Sequence, residues 1–272
     1  MTVINTNVNS LYAQDALKFN SRAQSVAMQQ LSTGSRINSA KDDAAGLAIG
    51  NNMTMQIRGL DQAVRNANDG INMMQTAEGA MIEQTNMLQR MRELAVQASN
   101  GTYKSAQRTD MTAEFDALST QIGNIASETK WNKISLLDVS AGPSFVFQTG
   151  QNTGDDVTVS FSKVNKAGLG YSAATIATAS GAKTALALLD TAIGNIDTAR
   201  AKIGAGINQL TYAADNLTNI SSNISASRST IMDTDYAQAS VQLAKTQIIQ
   251  QAATAMLAQA NQQPQSVLAL LK

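Results

Sequence analysis

Few residues in this chain are equipped for chemistry. Asp42 and Asp43 stand side by side, a residue type that serves as acid, base or hard-metal ligand. Gly181, Lys183 and Thr184 carry the residue types of a phosphate-cradling loop. Met73, Met74, Met81, Met87 and Met91 form a thioether series of the kind that lines adaptable peptide grooves. Asn-x-Ser/Thr triplets begin at Asn52, Asn100, Asn216, Asn219 and Asn223, the acceptor pattern for N-linked sugar. Each has a plainer reading. Adjacent helical positions do not face each other, so the two aspartates suit a helix N-terminus better than a shared metal or proton. The run at 181–184 lacks the phosphate-loop spacing and reads as a helix start. Methionines at heptad spacing read as core. Most of the triplets fall inside predicted helices, and no secretory signal precedes them.

Composition narrows the chemistry further. The 272 residues include no histidine and no cysteine, which excludes disulfides, thiolate chemistry and zinc sites with His or Cys ligands. The commonest general base is missing as well. Acidic and basic residues balance at 20 each, with no basic stripe for nucleic acid. No stretch approaches the roughly 18 consecutive apolar residues of a membrane span. The opening "MTVINTNVNSLYAQD" has no positive region followed by an apolar core, so it does not read as a Sec signal. The chain therefore reads as a non-enzyme, with no cofactor and no metal.

The elements that hold these residues are long helices. No proline precedes Pro143, which permits uninterrupted helix over the first half. From Met53 the apolar residues step by four and three through Ile57, Leu60, Val64, Ala67, Ile71 and Met74, then by seven through Met81, Leu88 and Ala95. This predicts one helix over about 43–99, with a capping box in "SAKD" (39–42) and a stop at Asn100-Gly101. Met111, Phe115, Leu118, Ile122 and Ile125 predict a second helix over about 105–128. A third seam runs from Leu189 to Ile231, and ten of its thirteen positions are apolar. Arg200 and Arg228 interrupt it, either snorkelling at its edge, or fixing register or pairing across a subunit contact. Phe145 and Phe147, then Val157, Val159 and Phe161, alternate around a Gly/Asn/Asp-rich turn and predict a β-hairpin near 144–162. Residues 164–182 read as a loop.

The two ends also carry helical stripes. Ile249, Ala253, Met256, Ala260, Gln263, Val267 and Leu270 keep the four-three step, and Leu268 and Leu271 add apolar surface where chains usually fray. The N-terminal segment is one partner for this helix. Two thin helices cannot cover all of each other's apolar residues, so neighbouring molecules are expected. Ile249, Met256, Val267, Leu268, Leu270 and Leu271 are the candidate polymerisation residues.

Three segments carry a family resemblance. "LSTGSRINSAKDDAAGLAIGNNMTMQIRGLDQAVRNANDGINMMQTAEGAM" (31–81) and "QRMRELAVQASNGT" (89–102) resemble the N-terminal region of bacterial flagellins. "SRSTIMDTDYAQASVQLAKTQIIQQAATAMLAQANQQPQSVLALLK" (227–272) resembles their C-terminal region. The resemblance implies a mainly α fold of long antiparallel coiled-coil helices with a small β-hairpin. Residues 1–42 and 236–272 would pair in the inner tube of a filament, and residues 43–235 would form a rod-like domain outside it. Residues 34–58 would serve as a connecting region. The short 164–182 segment stands where larger flagellins insert outer domains. The implied function is a structural subunit of the motile filament, extracellular and exported by the flagellar type III pathway. The implied partners are further flagellin subunits, an export chaperone, the filament cap and hook-junction proteins. Where the "QRMRELAVQ" motif matches, Arg90, Leu94 and Glu114 would contact Toll-like receptor 5. A hook–filament junction protein is the structural alternative. A signalling coiled coil would need a membrane tether that the sequence does not provide.

Overall fold

The computed structural model describes residues 6–138 and 144–270, with side chains as far as residue 262. Its elements are α1 (Val8–Thr33), α2 (Ala44–Ser99), α3 (Ser105–Glu128), β1 (Lys130–Trp131), β2 (Ile134–Ser135), β3 (Ser144–Gln148), β4 (Asp156–Ser160), α4 (Ala179–Met232) and α5 (Tyr236–Leu270). The chain divides into two compact units, Met1–Met55 with Asn223–Lys272, and Gln56–Ser222.

In the first unit α1 and α5 pack against each other. The Asn7 side chain caps α1 by accepting from the Ser10 N–H at 3.1 Å. Gly34 ends the helix at φ 71°, and its N–H reaches the Gln30 carbonyl. That left-handed conformation suits glycine, and a Cβ there would lie 2.9 Å from the Tyr236 hydroxyl. The turn after α1 is pinned to the end of α4. Arg36 N–H donates to Met232 O at 2.7 Å, its guanidinium donates to Ile231 O at 2.7 Å, and Thr234 N–H donates to Gly34 O at 2.9 Å. A cation thus satisfies carbonyls at a helix C-terminus, where the dipole favours positive charge.

The start of α2 differs from the capping box expected at residues 39–42. Asp43 is the cap, with its carboxylate accepting from Gly46 N–H at 2.9 Å. Asp42 instead closes the preceding turn, accepting from the Ser39 hydroxyl and from the Asn38 and Ser39 N–H groups. Three donors on one carboxylate hold the turn, so Ser39 is spent before the helix begins. The Ser39 hydroxyl first, then the backbone donors, hold the Asp42 carboxyl below its usual pKa of 3.8. Within the expected connecting region at 34–58, residues 44–58 are the opening turns of α2, in keeping with the helix predicted from about residue 43. These turns group with the terminal helices, because Gly50 lies against Met232 and Arg228 donates to Thr54 at 3.4 Å.

The second unit holds the main core. Met74, Met81 and Leu88 on α2 meet the seven-residue ladder Leu189, Ile196, Ile203 and Leu210 on α4, with Phe115 and Ile122 from α3, all buried. The methionines are core here, not a groove. Strands β3 and β4 pair antiparallel, with Phe145 opposite Val159 and Phe147 opposite Val157. Val157 and Val159 are buried, and Phe145 meets Phe161 edge-on at 5.6 Å. Helices and hairpin approach closely at two glycines. A Cβ on Gly70 would lie 2.7 Å from Leu210 and 2.9 Å from Phe147, and one on Gly206 would lie 3.0 Å from the Met74 sulfur. Buried Gln84 joins α2 to its neighbours, donating to Ile122 O at 3.1 Å and Val164 O at 3.2 Å.

Candidate assembly and contact surfaces

The terminal helix pair is built the wrong way round for a self-sufficient coiled coil. Its buried positions are small or polar: Ser10, Asn20 and Ala27 on α1, Ala239 and Thr246 on α5. Many of its large apolar residues point outward, while Leu17, Leu31, Leu243 and Leu257 are half-buried. On α1, Leu11 is 52%, Tyr12 71% and Phe19 66% exposed; on α5, Val241 is 67%, Ile248 66% and Met256 66% exposed. A soluble chain gains by covering such side chains, and contiguous exposed apolar surface marks a partner site. Of the six polymerisation candidates, Ile249 is 41% exposed and Met256 is more open still. The side chains of Val267, Leu268, Leu270 and Leu271 lie outside the described residues.

Close packing in the pair comes from its small residues, and its register from two asparagines. Asn7 Nδ2 donates to Ala260 O at 2.8 Å, and buried Asn20 Nδ2 donates to Thr246 O at 2.7 Å. The sequence reading did not single out these residues. The signal was available, since a polar residue at a seam position specifies register.

Of the three candidate receptor residues, the structure brings two together and separates the third. Arg90 donates to Glu114 at 2.9 Å, from α2 to α3, and to Glu93 at 3.0 Å on its own helix. These side chains are about half exposed or more, so the cluster is accessible. Leu94 is only 2% exposed and belongs to the core. Leu94 is therefore not on the surface that Arg90 and Glu114 present. Residues one turn apart lie on the same side of a helix, but here Leu94 sits where that side turns inward. On the opposite flank Arg92 pairs with Asp190 on α4 at 2.6 Å, and this hydrogen bond holds the Asp190 carboxyl below its usual pKa.

The remaining sequence candidates have structural roles. Gly181 N–H donates to the Thr178 hydroxyl at 3.0 Å, so the 181–184 run opens α4. Arg200 reaches Glu78 on α2 at 3.7 Å, and Arg228 reaches Thr54 on the same helix, so each fixes α4 against α2 within one chain. Among the described residues no group of three or more acidic side chains is placed to hold a metal ion, and no helix is long and apolar enough to cross a membrane.

Comparison with known proteins gives a consistent result. Residues 4–141 match the family model for the bacterial flagellin N-terminal helical region, and residues 186–271 match that for the bacterial flagellin C-terminal helical region. A flagellin of Halalkalibacterium halodurans is 41% identical over 272 residues, covering 99% of this chain and 100% of the relative. The crystal structure of Bacillus cereus flagellin aligns with a TM-score of 0.52 at 31% identity, over 60% of this chain and 94% of that one. A putative flagellar hook-associated protein from Vibrio parahaemolyticus shares the fold, with a TM-score of 0.60 at 14% identity, over 71% of this chain and 100% of that one.

Proposed function

This chain belongs to the bacterial flagellin family, and we propose that its paired terminal helices are the part that polymerises. The protein is a structural subunit of the bacterial flagellar filament, in a short form without the large outer domains. The junction-protein alternative is not favoured. Its structural neighbour shares fold alone, whereas the flagellin match runs end to end.

The observation that carries the assembly reading is the outward-facing apolar set on α1 and α5 around a seam of small and polar residues. In the filament, residues 1–42 and 236–272 form the inner tube, and Ile249, Met256, Val267, Leu268, Leu270 and Leu271 meet neighbouring subunits. Residues 43–235 form the outer rod, whose core lies within residues 56–222 and includes no residue of α1 or α5. Export proceeds through the flagellar type III route, with an export chaperone on the way out and the cap and hook-junction proteins at the two filament ends. The exposed Arg90–Glu114 pair is the part of the receptor motif accessible to Toll-like receptor 5. Negative-stain microscopy of the full chain and of a 43–235 fragment tests the assembly reading. The full chain should give long uniform filaments and the fragment a soluble helical protein. Filaments from the fragment would refute it.

A further inference from the structure

Pro264 lies inside α5, which runs on to Leu270. Proline has no N–H, so the carbonyl four residues earlier loses its helical donor. That carbonyl belongs to Ala260, and it is the one that accepts from the Asn7 side chain at 2.8 Å. The same side chain caps α1 through its other atom, with Oδ1 accepting from the Ser10 N–H. One amide therefore serves two helix defects at once: an open N–H at the start of α1 and an open carbonyl near the end of α5.

We propose that Asn7 and Pro264 form a register lock, in which Pro264 leaves the Ala260 carbonyl without its helical donor and Asn7 supplies the replacement. Ala260 O stands apart because, before the last turn of α5, every other carbonyl has an i+4 residue that keeps its N–H. Sliding α1 by one turn would take Asn7 away from Ala260 O and leave that carbonyl unpaired in a part-buried seam, which is costly. Asn20 marks the same antiparallel register further along. Its bond to Thr246 lies thirteen residues on from Asn7 and fourteen back from Ala260. Thr246 O keeps Gln250 as its helical donor, so Asn20 adds a bond where Asn7 replaces one. Asn7 is thus a positioning residue, and proline is tolerated inside the last helix because its defect is read by the first. The lock rests on the reading that this pair drives assembly, since register decides which apolar residues face the neighbouring subunit.

The test is a double-mutant cycle on the full chain. Asn7→Ser keeps a good capping oxygen but cannot reach Ala260. Pro264→Ala restores the N–H at 264. Asn7→Ser alone should raise the critical concentration for filament growth about tenfold, the scale of one unsatisfied carbonyl in a part-buried seam. In the Pro264→Ala background the same substitution should change it less than about twofold. Far-UV circular dichroism of the soluble chain should show the same pattern in the melting of terminal helix. An equal penalty in both backgrounds, or none with Pro264 present, overturns the lock. If the unsubstituted chain gives no filaments, the assembly reading fails, and the dichroism cycle alone decides the lock.

Discussion

Substituting Met256 by serine isolates the contribution of one outward-facing apolar side chain. Met256 is 66% exposed on α5, so about a third of its burial is already realised within the chain. Full burial of a methionine side chain is worth about 1.5–3 kcal/mol. The two-thirds still open therefore leaves about 1–2 kcal/mol to be gained against a neighbouring subunit. At 1.4 kcal/mol per tenfold, Met256→Ser should raise the critical concentration about 5–30-fold. The second unit, which does not contain this residue, should melt unchanged. Ile249→Ser should have the smaller effect, since Ile249 is only 41% exposed and has less left to bury. Sedimentation of assembled from unassembled protein across a concentration series reads both values. A critical concentration unchanged by Met256→Ser would refute the claim that the exposed face of α5 drives polymerisation.

Leu94→Ala should destabilise the second unit by about 2–5 kcal/mol, the cost of emptying a filled core site, and thermal melting reads it directly. An unchanged melt would overturn the core placement of Leu94. Arg90→Ala should leave the melt nearly unaltered, because ion pairs between half-exposed side chains contribute at most about 1 kcal/mol. It should nonetheless weaken Toll-like receptor 5 signalling in a cell reporter, and full signalling would refute the receptor reading. The Asp42 carboxyl titrates lower in the folded chain than in the unfolded one, so its contribution is present above the usual value of 3.8 and is lost as pH falls through its folded pKa. Amide exchange at Asn38 and Ser39 should therefore accelerate below that value in the native chain and show no such step in Asp42→Asn.

The helices were legible because their signal is redundant. Ten apolar positions at a four-three step in the third seam outvote the two arginines that interrupt it, and the predicted 105–128 helix coincides with α3. The hairpin showed through alternation of Phe145 and Phe147 with Val157 and Val159. The pairing of β1 with β2 did not show. It turns on Asn132 and Lys133, both at positive φ, where sequence offers asparagine but not the glycine that usually announces such a turn. Leu94 illustrates a second limit. Periodicity says which residues share a face but not whether that face is covered, and only the position of α3 and α4 decides it. Asn7 and Asn20 illustrate a third. A hydrogen bond across 253 residues of sequence leaves no local pattern, although a proline in a helix advertises that some donor must come from elsewhere.

A seam shared between α1 and α5 also gives the molecule a test of its own completeness. The proposed polymerising surface exists only when residues near the beginning of the chain meet residues near its end, since Asn7 and Asn20 find their acceptors at Ala260 and Thr246. A polypeptide cut within α5 retains every residue of the second unit's core. It lacks the surface that would let it join. On the proposed assembly, a filament growing by addition of such subunits would proofread its supply without an inspector, leaving damaged chains behind and not incorporating them as weak links.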